Sequence, residues 1–157
     1  LNSPVYDAIH QAFKNGALIA GTSAGAAVMS KKMITGNEIK HPEYTGNFRT
    51  IESNNIEIKE GLGLNRSIIV DQHFVKRMRM NRLIATCLEN PMETCIGIDE
   101  STAILIEGDK ATVYGESQVI VLKHTTAETK IMDGLLGGEK MELNVYLPGD
   151  SFKIENL

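Results

Sequence analysis

A serine framed by glycines is the first group in this chain that could do covalent chemistry: Gly21-Thr22-Ser23-Ala24-Gly25. The apolar run Ala17-Leu18-Ile19-Ala20 precedes it, and the helix-favouring run Ala26-Ala27-Val28-Met29 follows. This is the G-x-S-x-G pattern of a nucleophile elbow, in which a serine stands at the tip of a sharp strand-to-helix turn. Such a turn strains the serine backbone and crowds its flanks, which is a reason for small residues there. The N–H of Ala24, at the start of the following helix, would face an oxyanion forming in front of Ser23. The bland alternative is a Gly-rich turn between a buried strand and a helix, because the motif alone is short.

A serine hydroxyl is a weak nucleophile until a base takes its proton. Of four histidines, His10 falls within an N-terminal helix and reads as a surface residue, His41 lies in a loop before Pro42, and His124 reads as an edge or turn residue. His73 differs, because it follows the apolar run Ser67-Ile68-Ile69-Val70-Asp71. The C-terminal end of a strand is where open α/β sheets place their functional groups. His73 is therefore the candidate base, within reach of Ser23 if the two strands end at the same edge. Glu38, Glu43 and Asp71 are the candidate carboxylates behind it. Arg79 and Arg82 share one face of the next helix and Arg77 another, so they form either a solvated basic face or a clamp for an acidic substrate. There is no H-E-x-x-H, P-loop, G-x-G-x-x-G or paired Cys/His spacing, so no metal or cofactor is expected.

The elements that must position these groups follow from periodicity and punctuation. Asn2-Ser3-Pro4 starts a helix running to about Lys14, with Val5, Ile9, Ala12 and Phe13 on one face and Gly16 as its stop. Ala17 to Ala20 reads as a short buried strand, and a helix runs from Ala24 to about Lys31. The segment from Ser30 to Thr50, with Gly36, His41, Pro42, Gly46 and Asn47, reads as a loop. Strands are expected around Ile56 to Ile58 and Ser67 to Asp71, and a helix from Val75 to about Glu89, stopped by Asn90-Pro91. Thr94 to Asp99, Ala103 to Glu107, Ala111 to Tyr114 and Val119 to Leu122 read as strands, with Gly108-Asp109 as a hairpin turn. The tail from Asp133 to Leu157 holds one more strand candidate, Met141 to Leu147.

Length and composition bound the rest. With 157 residues, 42% hydrophobic and 23% charged, the chain suits one globular domain with a substantial core. A net charge of −4 argues against general nucleic-acid binding. No apolar run reaches the length of a bilayer span and no secretory signal opens the chain, so a soluble, cytoplasmic protein is expected, with no membrane partner. Cys87 and Cys95 fit no metal or redox spacing and read as buried free thiols. The chain begins at Leu1 and offers few strands before Ser23, so it reads as the C-terminal part of a single larger α/β domain.

One constellation carries a family resemblance: Gly21-Thr22-Ser23-Ala24-Gly25-Ala26-Ala27-Val28-Met29, Gly61-Leu62-Gly63-Leu64, Asp71-Gln72-His73-Phe74 with Arg77, Arg79 and Arg82-Leu83, and Gly97-Ile98-Asp99-Glu100-Ser101-Thr102-Ala103. Over roughly residues 1 to 125 the chain resembles the cyanophycinases, serine peptidases whose family also contains aspartyl dipeptidase. The resemblance implies a three-layer α/β sandwich like that of class I glutamine amidotransferases, flavodoxin-like in its layering. It implies hydrolysis of β-aspartyl-arginine polymer to dipeptides through an acyl-enzyme, with Ser23 as nucleophile, His73 as base and Glu38 as the best-placed carboxylate. Ala24 would give one oxyanion-hole N–H, and Gln72, Arg77, Arg79 and Arg82 would line the substrate pocket. The second oxyanion donor would come from an upstream loop that this chain lacks, a loss of about 2.7 to 4 kcal/mol of transition-state stabilisation. An aspartyl-dipeptidase-like enzyme and a non-catalytic binding module are the alternatives, and a homodimer is left open.

Overall fold

The structure, a computed structural model, describes residues 3–43, 46, 48–126 and 128–154. Asn2, Asn47 and the last three tail positions, read above as cap and loop, lie outside the described residues. Helix α1 spans Pro4–Lys14; Ser3 caps it by accepting the Tyr6 N–H at 3.2 Å, and Pro4 occupies the first turn, where its missing N–H costs nothing. No residue of α1 is buried. Its expected apolar face is open, with Val5 69% and Phe13 47% exposed.

The run 17–20 is not a strand, because no described segment pairs with it. A strand exists through its neighbour's hydrogen bonds, and apolar composition alone cannot supply one. Helix α2 covers only Ala24–Ala27, not the longer helix expected to Lys31. The chain then enters strand β1, Lys32–Glu38, where a loop was expected; it pairs antiparallel with β2, Ile56–Glu60. Gly36 and Asn37 disguised β1, since both are depleted in strands. Gly36 has φ 99° at a register shift between Ile34 and Glu38, an irregularity that a glycine accommodates.

The central sheet has four strands among the described residues. Strand β3 (Ile68–Gln72) runs parallel to β4 (Thr94–Ile98), and β4 is antiparallel to β7 (Val119–His124), which pairs with β10 (Met141–Tyr146). Between them β5 (Thr102–Glu107) and β6 (Lys110–Gly115) form the hairpin expected at Gly108-Asp109, with Glu107 opposite Lys110. Strands β8 (Thr129–Met132) and β9 (Leu135–Gly138) form a second hairpin that was not foreseen, turning through Asp133 and Gly134, both at positive φ. Strand β11 (Ser151–Lys153) adds to β6.

A helix, α3 (Met80–Glu89), makes the crossover from β3 to β4. It starts five residues later than expected, because positive φ values at His73 and Met78 interrupt any right-handed helix there. Alternation along the sheet splits the core into two layers. Ile69, Leu83, Cys87, Cys95 and Leu122 pack on the α3 side, while Ile68, Val70, Ile96, Val119 and Val121 face β6 and Phe152. Cys87 and Cys95 are buried free thiols; the hydrogen bond shared with Cys87, together with burial, pushes the Cys95 thiol well above its ordinary value. His124, expected at an edge or turn, is buried at the end of β7. Among the described residues no helix is long and apolar enough to cross a membrane.

Candidate active site

Ser23 sits at φ 55°, ψ −121°, a conformation that L-residues rarely adopt. The two flanking glycines differ in what they do. A Cβ at Gly21 would lie 2.2 Å from the Gly25 carbonyl oxygen and 2.7 Å from Met29 Cε, whereas a Cβ at Gly25 would meet nothing within 4 Å. Crowding therefore demands glycine on one side of the elbow only. The turn closes through the Gly25 N–H to Thr22 O at 2.8 Å and the Ala26 N–H to Ser23 O at 2.9 Å. The Ala24 N–H, first in α2, has no acceptor within its own helix.

His73 leaves the end of β3 with φ 51°, and its Nε2 lies 3.0 Å from Ser23 Oγ. Its Nδ1 lies 3.0 Å from Glu100 Oε1. An ionised carboxylate can only accept, so Nδ1 carries the proton and the neutral ring's Nε2 is left to accept from the serine hydroxyl. Parallel pairing of β3 and β4 with Gln72 opposite Ile98 brings the two exits together. The Phe74 N–H donates to Ile98 O at 3.2 Å, and the Phe74 ring lies over Gly97, where a Cβ would come within 2.4 Å of it.

Several residues named from the sequence stand elsewhere. Glu38, expected behind His73, accepts from Asn55 Nδ2 at 2.8 Å, and Glu43 is exposed; the carboxylate at His73 is Glu100. Chain order hid it, because Glu100 arrives from the next parallel strand. Its signal was a carboxylate two residues beyond the run Thr94 to Ile98, close to the end of a strand as His73 is. Asp71 is buried and grips Arg82, which donates through Nε at 2.9 Å and through Nη2. Arg82 is itself 1% exposed and stacks over the Phe48 ring at 4.4 Å, so it faces the core and not a substrate. Arg79 is also buried; its Nη1 donates to Gln72 O at 2.6 Å and to Gln72 Oε1 at 3.1 Å. Arg77 is half-exposed beside the site, with Nε 3.9 Å from Glu100 Oε1. His10 bonds Leu62 O at 2.8 Å and His41 pairs with Glu52 at 2.8 Å, both away from Ser23.

Ser23, Gln72, His73, Asp99 and Glu100 open on one cleft of about 840 Å³, whose remaining wall includes Leu18, Ile19, Ile98 and Ile104. The Asp99 carboxyl has its pKa displaced by its surroundings. Burial acts to raise it, but hydrogen bonds from the Lys76 N–H, the Ser117 hydroxyl and the Glu100 and Val75 N–H groups outweigh burial and hold it below the ordinary aspartate value. Among the described residues no three His, Cys, Asp or Glu side chains gather as a metal site.

A hydroxyl, an imidazole and a carboxylate bonded in series behind a strained elbow are the parts of a serine hydrolase. The chain belongs to peptidase family S51, whose model matches residues 2–114. It is 36% identical to cyanophycinases of Trichormus variabilis and of a Nostoc species, over 98% of this chain and 51% of each of theirs. A cyanophycinase of Geminocystis herdmanii is 36% identical over 77% of this chain and 42% of its own. Among solved structures, a peptidase from an acI-B1 actinobacterium superposes with a TM-score of 0.63 at 26% identity, covering 98% of this chain and 52% of that one. The chain thus spans about half the length of the curated relatives named first.

Proposed function

We propose that this chain carries the nucleophile, base and carboxylate of a serine peptidase that cleaves β-aspartyl linkages of a cyanophycin-type polymer. The observation that carries the reading is the series Ser23 Oγ, His73 Nε2, His73 Nδ1 and Glu100 Oε1, with 3.0 Å at each hydrogen bond. His73 Nε2 takes the hydroxyl proton as Ser23 Oγ attacks the scissile carbonyl, and Glu100 stabilises the imidazolium. The tetrahedral oxyanion turns toward the Ala24 N–H. His73 then returns the proton to the departing amine, leaving an acyl-enzyme, and water repeats the sequence to release the acid. Gln72, held by Arg79, and the half-exposed Arg77 are the polar groups placed to meet an aspartyl carboxylate.

The described residues form, in this reading, the C-terminal part of a glutamine-amidotransferase-like sandwich. Support comes from α1 without a buried residue and from a 17–20 run that pairs with no strand among the described residues. The remainder would supply the second oxyanion donor. The test is covalent labelling by a fluorophosphonate probe, followed by release of β-aspartyl-arginine from the polymer. Labelling disappears in Ser23→Ala, slows by on the order of ten-thousandfold in Glu100→Gln, and is unchanged in Glu38→Gln. Labelling that survives Ser23→Ala would sink the reading.

A further inference from the structure

The two loops that carry His73 and Glu100 are tied together by a side chain that belongs to neither partner of that hydrogen bond. Asp99 Oδ1 accepts the Lys76 N–H at 2.9 Å, and Oδ2 accepts the Ser117 hydroxyl at 2.7 Å. The N–H groups of Val75 and Glu100 donate to the same carboxylate. Asp99 therefore joins three chain segments: the exit of β3 after His73, the exit of β4 at Glu100, and the turn from β6 to β7 at Ser117.

Neither exit is held by regular structure. Residues 74–79 form consecutive turns between His73 at φ 51° and the start of α3. On the other side Ser101 is at φ 53°, and its carbonyl oxygen lies 2.1 Å from where a Gly115 Cβ would stand, so that turn is tight. The Glu100 side chain is 41% exposed and, among the described residues, pairs with His73 and Arg77. A half-exposed carboxylate on a long side chain loses rotamer freedom when it holds one geometry. The separation of His73 Nδ1 from Glu100 Oε1 thus depends on the two backbones keeping their distance.

We propose that Asp99 is a positioning residue that sets the spacing of His73 and Glu100 by anchoring both exits to the Ser117 turn. This rests on the serine-peptidase reading, and its test separates the two. In the full chain, fluorophosphonate labelling is followed against probe concentration, and the low-field His73 Nδ1–H proton resonance is read by NMR. Asp99→Ala lowers the maximal labelling rate by about tenfold to a hundredfold, a cost typical of small misplacements, with half-saturation moved by less than about twofold. The resonance weakens or is lost, as it is in Glu100→Gln. Asp99→Asn, whose amide oxygen can still accept the Lys76 N–H, recovers part of both signals, and Ser117→Ala loses less than Asp99→Ala in the same direction.

A wild-type rate and resonance in Asp99→Ala would overturn the proposal, as would a rate that falls only in proportion to unfolded protein. If Asp99→Ala does not fold, Asp99→Asn and Ser117→Ala decide by the same two readings. The resonance needs no turnover. An Asp99-dependent resonance in a chain that never labels would refute the peptidase reading and uphold the positioning role, whereas an Asp99-independent resonance overturns the role itself.

Discussion

The unit from β3 through α3 to β4 and the segment leading into the elbow are held by opposite means. In the first, Ile68 to Asp71 and Thr94 to Ile98 are all buried, and the Asp71–Arg82 pair is sealed between strand and helix. In the second, α1 has no buried residue and Leu18 is 76% exposed. His73 and Glu100 inherit their positions from packed parallel strands. Ser23 inherits its own from a local turn, braced by Gly21 against Gly25 and Met29 and by the contact of α2 with β3. Two of the three candidate groups thus follow directly on strands of the core, while the nucleophile depends on a segment whose outer face is bare.

Substitutions can break this contrast. The largest effect on stability is expected from Asp71→Ala, which strands the buried Arg82 guanidinium and costs about 3–5 kcal/mol, read from the urea midpoint. A cost under about 1 kcal/mol would mean that the core unit is looser than its burial indicates. Next comes Gly21→Ala, whose Cβ would press on the Gly25 carbonyl at 2.2 Å. It should slow fluorophosphonate labelling by roughly a hundredfold through displacement of Ser23, while the urea midpoint moves much less than in Asp71→Ala. The smallest effect belongs to Leu18→Ser, within about 0.5 kcal/mol of wild type because the side chain is already in water. A loss well beyond that would show that the lead-in segment is packed in solution and would erase the contrast.

How far the site could be read in advance varied with the range of the interaction involved. Ser23 and His73 could be singled out as candidates because their signals are local: glycines around a serine, and a histidine after an apolar run. Arg82 misled because its charge suggested water. Its place in the helix beside Leu83, Thr86 and Cys87 was the better guide, since those residues are buried with it. β1 was lost because Gly36 serves a bulge that only the pairing with β2 requires. The run expected to be a strand at Ala17 to Ala20 differs for the converse reason: the residue types suit a strand, but no partner stands beside it among the described residues.

What the amino-acid sequence determined by itself was the local chemistry of single turns and strand ends: the elbow at Ser23, the helix start at Ser3-Pro4, the hairpin at Gly108-Asp109 and the strand that ends before His73. Each of these depends on dihedral preferences and on periodicity within a few residues. Tertiary structure decided which carboxylate stands behind His73, which arginines are buried, and which apolar runs become strands. Those outcomes depend on the register of β3 against β4 and on which edges find partners, and such pairings join residues far apart in the chain, 27 positions for His73 and Glu100. No local spacing encodes that distance, because a parallel crossover can be lengthened without moving the strand ends that it connects.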